Sequence, residues 1–288
     1  MKITNKMGLP EALVRAVQRD QHNKPGHISV TTLQKGVKEI ILTQRHWDEF
    51  EMDVADMVNM IFGSAVHKIL ETEGETSFAE EYLSAVLNGY VVTGRMDLYD
   101  MKLKLVDDYK TASVWKIIHK DFEDWKFQGC GYGWLLFRNG FPVEKARFTA
   151  MLKDHKMTDA ERDSSYPQKP CVTYQFPIGQ TEIYDFQRIA SEKIDQIIAY
   201  EKKDDDSVPP CTPAERWAKE TTFAVMKDGR KSAIRVCNSK QDAEAISAEN
   251  PGSFVVERPG LDTKCMRYCL AAPFCSYYRE HYGKENEA

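Results

Sequence analysis

The sequence predicts an α/β fold in which a mixed central sheet is flanked by helices. Helix-type and strand-type apolar patterns alternate along one stretch of chain, which is typical of this class. Asn88-Gly89 stands between two of the strand-type runs and is a strong hairpin signal. The predicted segments, in chain order, are a helix over 53–71, strands over 78–87, 90–99 and 103–110, a helix over 121–138, strands over 145–152 and 172–176, and a helix over 182–203.

Regions on both sides complete the predicted organisation. The predicted regions are an N-terminal arm and helix (1–52), the core (53–205) and a C-terminal element (206–288). Residues 1–25 are polar with weak patterning, and Ser29 or Thr31 would cap a helix over Leu33–Gln44. The Pro-rich segment SVPPCTP marks the second boundary, and short strands around a helix predict a small ββαβ element after it.

Composition limits the possible classes of protein. Of 288 residues, 42% are hydrophobic and 29% charged, which is typical of a globular chain. The sequence holds no apolar run long enough for a membrane span, and MKITNKMGLP lacks the features of a secretory signal, so we expect no membrane contact and a cytoplasmic location. The net charge of −5 neither favours nor excludes nucleic acid, since residues 1–50 hold eight Lys/Arg against five Asp/Glu.

Two aspartates and a lysine form a candidate catalytic cluster. Asp97 follows Gly94 at the end of one predicted strand, and Asp108 and Lys110 lie two residues apart on the next. Side chains two apart on a strand point to the same face. Hairpin geometry would place Asp97 beside Asp108, so the sequence predicts two carboxylates and an ammonium around one point.

These groups suit the cleavage of a phosphodiester. Carboxylates bind Mg²⁺ or Mn²⁺, which holds the scissile phosphate and lowers the pKa of an attacking water. An ammonium beside them orients that water or stabilises negative charge on the phosphorane. The backbone carbonyl of Tyr109 is a further candidate ligand. An isolated Asp-x-Lys triplet, however, is a solvated strand face at odds of ~10:1.

Three more polar residues flank the cluster. His67 lies on the first predicted helix, after Gly63, and its ring nitrogens could reach a metal. Gln128 and Tyr132 lie four residues apart on one face of the helix that follows Lys110. Taken singly, each is also typical of an ordinary helix surface.

The order of these motifs is more specific than any one of them. Gly-x-x-x-His, Gly-x-x-Asp, Asp-Tyr-Lys-Thr and Gln-x-x-x-Tyr, between Gly63 and Tyr132, resemble the RecB-like branch of the PD-(D/E)XK nucleases. The resemblance implies a PD-(D/E)XK core, DNA as substrate and Mg²⁺ or Mn²⁺ as cofactor. The implied roles are metal binding for His67, Asp97 and Asp108, catalysis for Lys110, and support of the site or the DNA for Gln128 and Tyr132. Glu80 or Glu81 is a further candidate carboxylate.

Cysteines form the second candidate site. Cys265, Cys269 and Cys275 lie within eleven residues, and Cys211 in the Pro-rich turn is the best candidate for a fourth ligand. Four thiolates fit either Zn²⁺ or a [4Fe–4S] cluster. The remaining cysteines stand in helix- or strand-like contexts and are expected to be buried thiols, namely Cys130, Cys171 and Cys237.

The segment CTPAERW at 211–217, followed by the cysteine trio, resembles phage-type relatives of the same nucleases. The resemblance favours a [4Fe–4S] cluster, with Zn²⁺ as the alternative, that fastens residue 211 to 265–275. In many RecB-like nucleases the distant cysteine precedes the core. Residues 1–62 contain no cysteine, so the chain departs from that pattern.

The leading hypothesis is therefore a metal-dependent DNA exonuclease of phage type, acting in recombination, replication or repair, with a single-strand annealing or recombination protein as a potential partner. One alternative is a catalytically silent DNA-binding recombination accessory protein on the same fold. Another is a zinc-fastened scaffold in which the Asp/Lys pattern is accidental.

Overall fold

The structure is a computed structural model that describes residues 1–17, 24–72, 78–79 and 82–283. The chain forms two compact units. The first comprises Met1–Lys35 and Trp47–Lys202, and the second comprises Gly36–His46 and Lys203–Ala288. The second unit is discontinuous in sequence, because a short segment from the N-terminal region belongs to it.

Strands and helices alternate through both units. The strands are β1 (Lys2–Thr4), β2 (His27–Ser29), β3 (Glu51–Asp53), β4 (Phe78–Ala79), β5 (Tyr82–Leu87), β6 (Tyr90–Arg95), β7 (Leu98–Asp100), β8 (Leu105–Ala112), β9 (Lys145–Leu152), β10 (Cys171–Pro177), β11 (Thr222–Lys227), β12 (Arg235–Cys237) and β13 (Ser253–Arg258). The helices are α1 (Glu11–Val17), α2 (Val37–Arg45), α3 (Val58–Thr72), α4 (Val114–Ile118), α5 (Glu123–Arg138), α6 (Met157–Arg162), α7 (Gln180–Tyr200), α8 (Lys240–Glu249), α9 (Thr263–Arg267) and α10 (Ser276–Tyr282). The predicted α/β class, with mixed sheets and helices, is confirmed.

The first unit contains three sheets. The largest has the strand order β10-β9-β8-β7-β4, in which only β8 and β9 run parallel. A second sheet has the order β2-β6-β5, and β1 pairs with β3. The chain leaves the second sheet after Arg95 and enters the largest sheet at Leu98. The two residues of this crossing, Met96 and Asp97, lie in neither strand.

Helix α5 lies very close to the largest sheet because glycines face it. A Cβ added at Gly129 would lie 2.7 Å from the ring of Phe176 and 3.0 Å from Ala146. Strand β9 presents Ala146 and Phe148 as fully buried side chains on this sheet. The close approach brings the polar residues of α5 to the level of β8.

Local sequence patterns predicted several of the observed elements correctly. Strands β5 and β6 pair as an antiparallel hairpin with Leu87 opposite Tyr90, and Asn88 and Gly89 have φ of 48° and 82°. Both residues thus adopt the left-handed conformation that a two-residue hairpin turn requires. The predicted strand over 145–152 is β9.

Other elements differ from prediction. The helix predicted over Leu33–Gln44 is a 3₁₀ turn at Thr32–Gln34 followed by α2, because Gly36 is extended and interrupts the helix. Ser29 Oγ accepts a hydrogen bond from the Thr32 N–H at 3.0 Å, whereas Thr31 makes no capping bond. The N-terminal arm contains β1 and α1 rather than irregular chain alone.

In the second unit, the predicted ββαβ element is present. Strand β11 lies between β12 and β13, and both pairings are antiparallel. Helix α8 packs on this sheet through a small core of Val225, Cys237 and Ala243. Among the described residues, no helix has both the length and the apolar character needed to cross a membrane.

Candidate functional site

The candidate active site lies wholly in the first unit, around the crossing between two sheets. Asp97 Oδ1 is 2.8 Å from Nδ1 of His67 on α3, and Asp97 Oδ2 accepts a hydrogen bond from the Tyr109 N–H at 2.7 Å. This bond fixes Asp97 against β8, next to Asp108. The hydrogen bond to Asp97 raises the pKa of His67.

Asp108 is the buried centre of the site, with 2% of its surface exposed. Its Oδ1 accepts a hydrogen bond from Gln128 Nε2 at 3.3 Å, and Lys110 Nζ lies 2.6 Å from Oδ2 as an ion-pair partner. Oδ2 is buried and, apart from this ion pair, has no polar partner among the residues described. Burial raises the pKa of Asp108 to about 6, although the charge of Lys110 opposes the shift.

A chain of hydrogen bonds holds Gln128 in place. Its Nε2 also donates to the Tyr132 hydroxyl at 2.7 Å, and that hydroxyl donates to the Arg95 carbonyl at 2.8 Å. Burial raises the pKa of Tyr132, so this hydroxyl stays protonated. These hydrogen bonds connect α5 to Arg95 at the end of β6, two residues before Asp97.

Gly94 has a steric role in this arrangement. A Cβ added there would lie 2.6 Å from Leu135 Cδ1 and 3.0 Å from the ring of Tyr132. A side chain at Gly94 would therefore push against the residue that holds Gln128. At Gly63, by contrast, an added Cβ would meet only Thr111 Oγ1 at 3.9 Å.

The structure brings together the predicted His67, Asp97, Asp108, Lys110, Gln128 and Tyr132. Tyr109 contributes its N–H to Asp97. Glu80 and Glu81 lie outside the described residues. Sequence reasoning missed the Arg95 carbonyl, for which a backbone acceptor gives no sequence signal.

Asp107, the neighbour of Asp108 on β8, has a separate role. Its carboxylate pairs with Arg147 on the adjacent β9 through two short contacts, one of them 2.6 Å from Nε. Alternate residues of a strand face opposite sides, so this pair lies away from Asp108. Asp107 is therefore a structural ion pair and not part of the candidate site.

The donors fit a hard divalent cation in type. Two carboxylates and an imidazole stand together, and the buried Asp108 Oδ2 is an acceptor that a cation would satisfy. Across the described part of the chain, no three His, Cys, Asp or Glu side chains are already arranged to hold a metal ion. His67 and Asp97 bind each other instead.

The second candidate site is a pocket in the second unit. All four candidate cysteines line it, namely Cys211, Cys265, Cys269 and Cys275. Burial raises the pKa of Cys265 to about 11 and of Cys269 to about 12, and it also raises the pKa of Cys211. The metal-free thiols of Cys211, Cys265 and Cys269 are therefore protonated near neutral pH. We call the pocket that these four cysteines line the thiol pocket.

The charged residues that line the thiol pocket are Lys38, Arg216 and Glu39. Lys38 of α2 is 2% exposed and donates to the Val208 carbonyl at 2.8 Å and to Ser276 Oγ at 2.9 Å. Glu39, also on α2, pairs with Lys264 at 2.6 Å. A buried ammonium at this place favours an anionic group beside it. The sequence patterns did not reveal these two α2 residues.

The CTPAERW segment fixes the position of Cys211. Arg216 donates to the Cys211 carbonyl and pairs with Asp262 at 3.1 Å. Asp262 also accepts a hydrogen bond from the Tyr277 hydroxyl at 2.8 Å. On α2, a Cβ added at Gly36 would lie 2.4 Å from Cys211 Sγ, so only glycine leaves room for this sulfur.

The other cysteines differ in exposure. Cys130 and Cys237 are buried, as predicted. Cys171 is exposed, contrary to prediction. It is the first residue of β10, which is an edge strand of its sheet and therefore has one uncovered side.

No protein-family model matches the sequence, and a search of curated proteins found no match. Among solved structures, the chain is similar to the protein SSO0001 at 17% identity, over 64% of this chain and 83% of that chain, with a TM-score of 0.45. It is similar to a phage related exonuclease from Haemophilus somnus 129PT at 16% identity, over 60% and 95%, with a TM-score of 0.36. An alkaline exonuclease from Laribacter hongkongensis shows 12% identity, over 62% and 90%, and a TM-score of 0.39. Similarities this low carry no conclusion about function.

Proposed function

We propose that the chain is a metal-dependent DNA exonuclease with a PD-(D/E)XK core. One observation carries the proposal: buried Asp108 keeps an oxygen without a hydrogen bond, beside Asp97 and within 2.6 Å of the Lys110 ammonium. An ionised carboxylate is costly to bury unless something compensates its charge. The Lys110 ammonium compensates part of this charge, and because burial still raises the pKa of Asp108 to about 6, a divalent cation shared with Asp97 would supply the rest.

Each residue then has a defined task. Asp97, Asp108 and His67 would hold Mg²⁺ or Mn²⁺, with the Tyr109 carbonyl as a further ligand. When bound, the ion supplies charge neutralisation at the phosphate and a more acidic water. Lys110, 23% exposed at its side chain, would orient that water or stabilise negative charge on the phosphate oxygens.

Gln128 and Tyr132 act as positioning residues. The Gln128 amide holds Asp108 Oδ1, and the Tyr132 hydroxyl holds the Gln128 amide against the Arg95 carbonyl. This fixes the Asp108 side chain in one rotamer, so that its other oxygen stays directed away from the helix. A fixed ligand costs less entropy when the ion binds.

A digestion assay on end-labelled DNA tests the proposal. The wild-type chain should degrade single- or double-stranded DNA with Mg²⁺ or Mn²⁺ and not with chelator, releasing nucleotides from an end. Lys110→Ala and Asp108→Ala should lose the activity while keeping the fold. Lys104→Ala is the matched control, because Lys104 pairs with Glu144 at the far end of β8.

The outcomes separate the hypotheses. Normal digestion by both site variants would refute the assignment of the catalytic residues. DNA binding by a wild-type chain that digests nothing would favour the silent accessory protein. Internal cuts in circular DNA would refute exonuclease action but keep the nuclease. A role in recombination, replication or repair, a phage source and an annealing partner remain predictions from the sequence resemblance.

We also propose that the thiol pocket binds a [4Fe–4S] cluster as a structural centre. Its four sulfurs line one pocket beside the buried ammonium of Lys38, which suits a group of net negative charge. Such a centre would join residue 211 to the C-terminal segment. Anaerobic purification followed by iron, sulfide and zinc analysis tests this, and stoichiometric zinc without iron would replace the cluster by Zn²⁺.

A further inference from the structure

The ββαβ element has one sheet face that its helix leaves uncovered. Helix α8 packs on the face that carries Val225 and Cys237. The residues of the opposite face are Thr222, Ala224, Met226, Val236, Phe254, Val256 and Arg258, of which Ala224 is fully buried. We call this the open sheet face.

Large apolar side chains dominate the open sheet face. Phe254 is 46% exposed, Val236 47% and Val256 37%. The strand pairings place Val236 and Val256 on either side of Ala224, and Met226 opposite Phe254. Exposed apolar side chains that neighbour one another are typical of a binding surface rather than of scattered exposed residues.

A basic hairpin borders this face. The nine residues 227–235, with the sequence KDGRKSAIR, hold four cations and one acid. All four cations are exposed; Arg230 and Lys231 lie in the turn, whereas strand alternation directs Lys227 and Arg235 to the helix side of the sheet. None of these four side chains has an ion pair or a hydrogen bond with the rest of the described chain. The hairpin itself therefore carries a net positive charge, whereas the whole element from Thr222 to Arg258 is close to neutral, with six cations and five acids.

We propose that the open sheet face and its basic hairpin bind single-stranded DNA. The hairpin cations would contact phosphates, and Phe254 would stack on an unpaired base, with the valines against the neighbouring base or sugar. Base faces are exposed in single strands and hidden in duplexes, so an apolar and aromatic surface selects the single strand. The choice of DNA as the polyanion rests on the proposed function.

This surface belongs to the second unit, whereas all candidate catalytic residues belong to the first. Binding at the open sheet face therefore needs no divalent metal and no intact catalytic site. It would retain the substrate between cleavage events or hold the strand that is not cut.

Fluorescence anisotropy tests the inference on the full chain carrying Asp108→Ala, in EDTA. The probes are fluorescein-labelled oligo(dT) and a duplex of equal length, each titrated at several salt concentrations. Phe254→Ala tests stacking and Arg230→Glu with Lys231→Glu tests the hairpin. The controls are Tyr184→Ala, for a tyrosine 56% exposed on α7, and Lys240→Glu on the helix side of the same element.

Phe254→Ala should weaken binding of oligo(dT) by ~5- to ~150-fold, the range for one stacked base, and should leave duplex binding unchanged. The hairpin double variant should weaken both probes and lower the salt dependence of oligo(dT) binding by at least ~1.4 in the log–log slope. Both controls should bind like the parent.

Three results would overturn the inference: unchanged binding by Phe254→Ala, an equal loss on the duplex, or an equal loss in Lys240→Glu. The nuclease proposal fails separately. If the wild-type chain digests DNA but Phe254→Ala binds oligo(dT) normally, only the inference about the open sheet face is refuted. If Phe254→Ala loses oligo(dT) binding but the wild-type chain does not digest DNA, only the nuclease proposal is refuted.

Discussion

Replacement of Asp108 by asparagine should abolish cleavage and yet stabilise the metal-free fold at alkaline pH. Burial raises the pKa of this carboxyl from 3.8 to about 6 in the folded protein. Between these two values the folded state binds more protons than the unfolded state. The stability contributed by the protonated carboxyl is therefore complete below about pH 4 and is lost as the pH rises through about 6.

The size of the effect follows from the shift. A difference of about two pKa units, at 1.36 kcal/mol per unit, corresponds to about 3 kcal/mol of cost for the ionised group at pH 8. An uncharged amide escapes this cost but leaves the Lys110 ammonium without its partner. We expect Asp108→Asn to raise the free energy of unfolding by about 1–3 kcal/mol at pH 8, and by about half as much at pH 5.

Urea unfolding in EDTA at the two pH values measures the gain. Asp107→Asn is the matched control on the same strand. It removes the partner of Arg147 and should destabilise the fold by about 1–3 kcal/mol at both pH values. A loss of stability in Asp108→Asn at pH 8, or a gain that does not shrink at pH 5, would refute the reasoning.

Four other substitutions have definite expected outcomes. Gly94→Ala should lower the free energy of unfolding by about 1–3 kcal/mol, because its Cβ would lie 3.0 Å from the Tyr132 ring. Gly63→Ala, whose Cβ would meet open space, should raise the free energy of unfolding by about 0.5–1 kcal/mol. Urea midpoints equal to that of the wild type would contradict the predictions for Gly94→Ala and Gly63→Ala. Tyr132→Phe should lower the free energy of unfolding by about 1–3 kcal/mol and reduce kcat, because the Gln128 amide and the Arg95 carbonyl lose the hydroxyl that they share. An unchanged kcat would contradict a positioning role for Tyr132. Cys269→Ser should lose iron and visible absorbance while exposed Cys171→Ser keeps them, and equal iron content would refute the thiol pocket as the cluster site.

The elements that the sequence predicted well depend on short-range signals. The β5–β6 hairpin follows from Asn88-Gly89, whose two residues alone supply the required conformation. Strand β9 follows from strict alternation of buried and half-buried residues. Both patterns act over less than ten residues and need no knowledge of the rest of the chain.

The elements that the sequence did not predict depend on long-range packing. The run 90–99 reads as one strand, but β6 and β7 belong to different sheets. Apolar residues occur on both sides of the crossing and neither Pro nor Gly stands within it, so nothing local marks the change of sheet. Asp97 thus lies between strands rather than on one, although it still reaches the Tyr109 N–H beside Asp108.

The relations between the residues of the candidate site also divide into short-range ones, which the sequence predicted, and long-range ones, which it did not. The same-face relation of Asp108 and Lys110 follows from the period of a strand, and that of Gln128 and Tyr132 from the period of a helix. The pairing of His67 with Asp97 spans thirty residues and came only through the family resemblance. No periodic signal could have joined α2 to the cysteines.

The position of α2 in the second unit has a consequence for how the chain is made on the ribosome. Ile40, Ile41 and Leu42 are almost fully buried in the finished protein. Leu42 lines the thiol pocket, and the C-terminal cysteines of that pocket emerge about 230 residues later, which at about 5–20 residues per second is a wait of roughly 10–50 s. During that time α2 lacks its packing partners. The nascent chain therefore exposes an aggregation-prone apolar segment until its C-terminal part has been synthesised. A fragment that begins at residue 203 would lack this helix altogether.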